Sequence, residues 1–264
     1  MAASTADIGR VRIGGVPIDR LTMEEAVDAI DELVRAGRGG SVFTPNVDHI
    51  VQCQDDARLR EAYEAVSLSL ADGVPVVLAS RLLGRAAPQK VSGSDLVGPL
   101  VRRAAHRGWR VVLVGGGDGI ARRASASMTT DNPGLKIVGT LSPRVEVDAP
   151  AERRKALLDA IAVLRPDLVL VAFGAPKQEV WIHESRAALA PAVLLGVGAT
   201  LDFLAGAVSR APSWISRVGF EWLYRLVHEP HRLWRRYLLR DPMFLGVVLA
   251  DLRRRRQSEA PSSR

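Results

Sequence analysis

The sequence predicts an α/β domain, a mostly parallel sheet with helices on both faces in a Rossmann-like layout, followed by a small helical C-terminal appendage. Three observations lead there. Short apolar runs alternate with helix-length segments from Ser41 to Thr200. Several of these runs end in junctions rich in Gly, Pro, Asn and Asp, at the strand ends where open α/β sheets bind their ligands. At Arg210 the composition turns basic and aromatic. The expected organisation is an α/β domain over 1–208, a basic aromatic appendage over 209–245, and a basic, disordered tail over 246–264.

Taken in order, Val11 to Val16 is a short apolar stretch broken by Gly14-Gly15, an edge strand or hairpin. Thr22-Met23-Glu24-Glu25 is a capping box that opens a helix with Val27, Ile30, Leu33 and Val34 on one face, closed at Gly37. Ser41–Thr44 reads as a strand entering Pro45-Asn46, and a helix over about 56–66 follows. Ser67–Ala71 alternates like a strand and runs into Asp72-Gly73-Val74-Pro75. Gly73 allows a left-handed backbone there, and Pro75 suits a helix's first turn. Helices are expected over 74–83 and from Asp95 to Arg107, then a buried strand at 110–114 and a glycine loop at 115–119. Strands near 135–138, 167–173 and 192–197 alternate with further helices. In the appendage, Pro230 splits two helices and begins the second, and Asp241-Pro242 ends it.

Composition narrows the class. With 264 residues, 47% apolar and 25% charged, the chain has ample material for a core. The single cysteine, Cys53, excludes an internal disulfide and fits a reducing compartment. The N-terminus lacks the basic and apolar regions of a secretory signal, and no apolar run approaches the roughly 20 residues needed to span a bilayer. The net charge of +7 lies wholly beyond residue 209, where twelve arginines face five acids. That asymmetry points to an anionic partner, either nucleic acid or a lipid surface.

Four junctions carry chemistry. Asp72 follows a strand and can act as a general base; read alone, it can equally cap the next helix. Gly115 and Gly116 open a loop that lets backbone amides approach a phosphate, or simply turn the chain. Their spacing only approximates a dinucleotide fingerprint, which leaves an NAD-dependent enzyme as one alternative. At Gly174-Ala175-Pro176-Lys177-Gln178-Glu179, Lys177 can pair with a phosphate and Gln178 can bond a sugar or uracil edge; the alternative is that these residues serve a helix's first turn. Thr44 and Asn46 offer small hydrogen-bonding groups, while His49 beside them reads as packing or capping. No metal site is expected, since neither His/Cys spacing nor an Asp-x-Asp pair occurs. The appendage's Trp and Arg residues fit an interfacial membrane helix pair, a nucleic-acid surface in a nonenzymatic module, or a helix packed on the core.

Together, Gly15-Val16-Pro17-Ile18-Asp19, Thr44-Pro45-Asn46, Ala71-Asp72-Gly73-Val74-Pro75, Val91-Ser92-Gly93-Ser94-Asp95-Leu96, Gly174–Glu179, Arg210-Ala211-Pro212, Glu221–Leu226, Glu229-Pro230 and Arg235-Arg236-Tyr237 occur in one order. Over roughly Ile13–Tyr237 this resembles the WecG/TagA/CpsF glycosyltransferase family. The resemblance implies a cofactor-free, metal-independent, inverting transferase on the inner face of a bacterial plasma membrane, cytoplasmic and peripheral. It implies a UDP-sugar donor, often N-acetylmannosamine or its uronic acid. The implied acceptor is a lipid-diphosphate-linked sugar, for teichoic acid or another surface polysaccharide. It also implies an anionic membrane surface as partner and no nucleic acid; self-association away from the membrane is left open. Asp72 becomes the catalytic base, Thr44 and Asn46 lie near the donor, Gln178 is the active-site glutamine, and Ser92 belongs to the Ser-Gly-Ser-Asp motif. Lys90 stands where the family commonly has Arg, which keeps the charge and loses the bidentate fork. Arg225, Arg232 and Arg235 of the appendage are the implied contacts of the leaving diphosphate, brought over the site at the membrane.

Overall fold

A computed structural model describes residues 9–143, 150–209, 221–228 and 230–259. The chain opens with an antiparallel hairpin, β1 (Val11–Ile13) and β2 (Val16–Ile18), turning at Gly14-Gly15. α1 (Met23–Ala36) starts on the capping box: Thr22 Oγ1 accepts from the Glu25 N–H at 3.2 Å, and Glu25 Oε2 accepts from the Thr22 N–H at 2.8 Å. Then come β3 (Gly40–Phe43), α2 (Val47–Asp55), α3 (Ala57–Glu64), β4 (Leu68–Ser69), α4 (Val74–Leu82) and α5 (Gly93–Arg107). β5 (Arg110–Gly115), α6 (Ile120–Asp131), β6 (Lys136–Leu141), α7 (Ala151–Ala162) and β7 (Leu168–Ala172) follow. α8 (Lys177–Ser185), β8 (Val193–Gly196) and α9 (Thr200–Leu204) complete the α/β unit.

Among the described residues six strands form one parallel sheet in the order β4-β3-β8-β7-β5-β6. Alternate residues of the central strands face opposite layers. Val112, Val114, Val169, Val171 and Leu194 pack on one side; Val111, Leu113, Leu168, Leu170, Val193 and Leu195 pack on the other. Both faces are covered, so the strands read as continuous apolar runs rather than alternating ones. The parallel layout sends every strand's carboxyl end to one edge, which gathers the sequence junctions there. Gly115 belongs to the packing of that edge: its φ is +108°, and a Cβ would lie 2.4 Å from the Ala172 carbonyl oxygen.

The appendage continues as α10 (Glu221–His228), α11 (Pro230–Arg235), a π-helical turn (Arg236–Arg240) and α12 (Met243–Glu259). Pro230 begins α11, where its missing N–H costs nothing. The described part of the expected tail, 246–259, is helical rather than disordered. Phe244 and Val248 are buried in the core, and Asp251 Oδ2 accepts from the Gly14 N–H at 2.6 Å. The Arg255 guanidinium reaches the Leu83 carbonyl. A short apolar stripe suffices here because the hairpin and α2 supply the rest of its core. Residues 210–220 and 260–264 lie outside the described residues.

Candidate active site

Asn46 caps α2 at the end of β3. Its Oδ1 accepts from the Asp48 N–H at 3.1 Å and the His49 N–H at 3.4 Å, satisfying otherwise orphaned helix donors. Asp72 follows β4 on a pinned loop. Its N–H donates to the Pro45 carbonyl at 3.0 Å, and the Val91 N–H donates to the Ala71 carbonyl at 2.8 Å. Gly73, at φ +105°, turns the chain into α4 directly after it. Ser92 caps α5, accepting from the Asp95 N–H at 3.2 Å and donating to Asp95 Oδ2 at 2.6 Å. Gln178 is buried in α8. Its Oε1 accepts from the Gly198 N–H at 2.8 Å, fastening the loop after β8 to the first turn of α8, and its Nε2 donates to Glu179 Oε1 at 2.8 Å. Gly196 leaves room for this: a Cβ there would sit 2.5 Å from Gln178 Nε2.

Two cavities open at this edge. The first, about 430 Å³, is bounded by Thr44, Asn46, Asp72, Ser92, Gly174 and Gln178, with the 197–203 loop and Asp48, His49, Asp202 and Arg236. The second, also about 430 Å³, lies between the start of α4 and the appendage, against Val74, Pro75, Trp222, Tyr237, Phe244 and Leu245, with Lys90 and Asp241. Asn46, Asp72 and Arg236 border both. The first cavity is mostly polar and the second mostly apolar, with one carboxylate and one guanidinium at their junction.

Arg236 reaches that junction from the π-helical turn. Its Nη2 donates to Asn46 Oδ1 at 3.1 Å, and its Nε lies 3.3 Å from Asp48 Oδ2. Arg240 Nη1 donates to Asp48 Oδ1 at 2.9 Å, so two appendage arginines grip one buried acid of α2. Burial pushes the Asp241 carboxyl up to about 6; Asp48 adds to the rise, while Arg236, Arg240 and His49 oppose it. Among the described residues no three His, Cys, Asp or Glu side chains converge as a metal site.

The family model of the glycosyl transferase WecG/TagA/CpsF family matches residues 11–258, from the first hairpin through α12. The chain belongs to the WecG/TagA/CpsF glycosyl transferase family. It is also 32% identical over 212 residues to the N-acetylglucosaminyldiphosphoundecaprenol N-acetyl-beta-D-mannosaminyltransferase of Bacillus spizizenii. That alignment covers 80% of this chain and 79% of the relative. The protein is a glycosyltransferase.

In this WecG/TagA/CpsF member the structure brings Asp72, Thr44, Asn46, Ser92, Gly174 and Gln178 together around the first cavity, with Lys90 at the second. Lys90 pairs with Asp95 Oδ2 at 3.1 Å. Gly115, Gly116 and Lys177 border neither cavity; Lys177 is exposed on the first turn of α8, and a Cβ on Gly116 would strike Ile120. Arg235 is exposed, with its guanidinium 5.4 Å from the Trp234 ring centroid, outside both cavities. The side chains of Arg225 and Arg232 lie outside the described residues. Sequence reasoning assigned no site role to Arg236, His49 or the 198–203 loop. The loop's signal was present, since Gly198-Ala199-Thr200 follows a strand, and the pattern there matches the other junctions.

Proposed function

We propose that this protein transfers a sugar, N-acetylmannosamine or its uronic acid, from UDP to a polyprenyl-diphosphate-linked N-acetylglucosamine. The observation that carries the reading is the meeting of a polar and an apolar cavity at Asp72, Asn46 and Arg236. The donor occupies the first cavity, and the acceptor's sugar reaches Asp72 from the second. Asp72 takes the proton of the acceptor hydroxyl as that oxygen attacks the anomeric carbon from the face opposite UDP. The C–O bond to the diphosphate breaks with inversion, and the departing charge is met by Arg236 with the other appendage arginines and helix N-termini. The acceptor named for the Bacillus relative supports the second substrate.

A membrane-facing appendage agrees with this reading. Among the described residues, most of the large exposed apolar side chains lie between Trp222 and Leu249, beside an arginine-rich helix. No helix among the described residues is long and apolar enough to cross a membrane. The glycine loop that suggested NAD borders neither cavity, so that alternative gains nothing from the geometry.

The test is a panel of UDP-sugars with a short-chain polyprenyl-diphosphate N-acetylglucosamine on vesicles containing anionic lipid. UDP-N-acetylmannosamine or its uronic acid should yield a lipid-linked disaccharide whose new anomeric centre is inverted. Transfer from neither donor, or retention of configuration, contradicts the reading.

A further inference from the structure

Two of the large exposed apolar side chains, Leu78 and Leu82, belong to α4 of the α/β unit rather than to the appendage. They follow Val74 at a spacing of four, so Val74, Leu78 and Leu82 form one row along α4. Leu245 and Leu249 form a second row, at the same spacing, on α12. These leucines are 49% to 68% exposed. The outer face of a helix in a water-soluble domain carries polar and charged groups, so two neighbouring apolar rows left open to water mark a contact surface.

The rows lie on adjoining helices. Val74 and Leu245 both border the second cavity, so both rows start at its rim. At the other end the Arg255 guanidinium reaches the Leu83 carbonyl and stands where a Cβ on Gly84 would lie. α4 and α12 therefore run side by side in the same direction. Beneath them Leu83, Phe244 and Val248 are buried in one core, against which Leu252 also packs, and that seam holds the two helices in place. From Val74 to Leu82 the row is about 12 Å long at the helical rise of roughly 1.5 Å per residue, the length of a few isoprene units.

The charge around the rows selects the occupant. Beside Leu82 and beyond Leu249 the exposed surface is basic, at Arg81, Arg85, Arg253 and Arg256. Asp251, the acid nearest in α12, is engaged by the Gly14 N–H and by Arg254. A second copy of the chain docked through this face would set these arginines against one another. A hydrocarbon chain leaving the second cavity along the rows would instead enter a bilayer past cations that meet its anionic headgroups.

We propose that the paired rows on α4 and α12 carry the polyprenyl chain of the acceptor from the second cavity to the bilayer. Contact there is apolar, so recognition follows chain length rather than headgroup chemistry. The identity of the occupant rests on the transferase reading, whereas the binding series below needs no transfer, so the two can fail separately.

The first measurement is calorimetric binding of dimethylallyl, geranyl and farnesyl diphosphate to full-length protein in detergent-free buffer. Affinity should rise about 10- to 100-fold from dimethylallyl to farnesyl as more apolar chain is covered. Leu78→Gln/Leu82→Gln, at positions open enough to keep the fold, should remove most of that rise and leave dimethylallyl binding unchanged. Leu249→Gln should remove part of it. Val163→Gln, at an exposed apolar residue outside the rows, should change neither. The second measurement is transfer to diphosphate-linked N-acetylglucosamine carrying a farnesyl or a dimethylallyl chain. Leu78→Gln/Leu82→Gln should raise KM for the farnesyl acceptor about tenfold, with kcat, the donor KM and the dimethylallyl acceptor unaffected. An unchanged chain-length dependence of binding, or equal losses on both acceptors, overturns the proposal. So does weaker sedimentation with acceptor-free anionic vesicles while the chain-length dependence stays intact, since the rows would then hold bulk lipid. A changed oligomeric state of the ligand-free variant also overturns it, because a second copy would then cover the rows. Absence of transfer by the wild type contradicts the transferase reading, and the binding series still decides the rows.

Discussion

Replacing Arg236 with alanine separates the pairing this side chain makes with Asp48 from the catalytic part proposed for it. The Asp48 side chain is only 7% exposed and is paired with Arg236 and Arg240, which are 24% and 46% exposed. Stripping a buried acid of every partner costs about 3–5 kcal/mol. Here Arg240 stays and the Arg236 head is partly wet, so we expect about 2 kcal/mol. For a domain of this size that lowers Tm by about 4–8 °C, read by calorimetry or thermal fluorescence. The same change removes the cation bordering both cavities, and kcat should fall about 10²- to 10³-fold, as for loss of one transition-state donor. Arg240→Ala takes a partner from the same acid but touches neither cavity; it should show a comparable Tm loss with a much smaller change in kcat. Asp48→Asn on top of Arg236→Ala should restore Tm and leave kcat low. If Arg236→Ala turns over near the wild-type rate, or Arg240→Ala loses as much kcat, the assignment of Arg236 to the reaction is wrong.

Further outcomes follow from other parts of the molecule. Phe244→Ala should lower unfolding stability by about 3–5 kcal/mol in urea titrations, because a side chain 5% exposed anchors α12 to the core; a loss under 1 kcal/mol would mean that α12 is not docked in solution. Cys53 is buried and its thiol is pushed up to about 12 by burial and nearby Glu179, so native protein at pH 8 should resist iodoacetamide, with labelling appearing only on unfolding. Asp241 is raised from 3.8 to about 6, which means that the folded state binds its proton more tightly than the unfolded chain. Its ionisation therefore removes stability as pH rises between about 4 and 6. Asp241→Asn should be more stable than wild type above pH 7, by on the order of 1 kcal/mol after solvent screening, with the gain vanishing near pH 4; a pH-independent difference contradicts the burial of that carboxyl.

Much of the fold was legible because its signals are local. The Thr22 capping box, the apolar runs at 110–115 and 168–172 and the Asp72-Gly73 turn act through neighbours in sequence, and parallel strands then bring their carboxyl ends to one edge. The less legible features are tertiary. Arg235 and Arg236 are adjacent, and the π-helical turn from Arg236 to Arg240 departs from the 3.6-residue period by which a helical face is read. α12 is set against Gly14, 237 positions away through the Asp251 bond, and a basic run gives no hint of such a partner. His49 reads as packing or capping, and it does close the α2 capping box by accepting from the Asn46 N–H; what sequence cannot show is its pairing with Glu179, which joins two helices far apart in the chain.

The account turns on Asp72 as the base at the meeting of the two cavities. The direct measurement is Asp72→Asn, assayed for transfer to the lipid-linked acceptor alongside UDP binding by calorimetry. Asn keeps the shape and removes the proton acceptor, so turnover should fall about 10²- to 10⁴-fold while UDP affinity stays within about twofold. Near-normal turnover in a variant that folds and binds UDP contradicts the central claim.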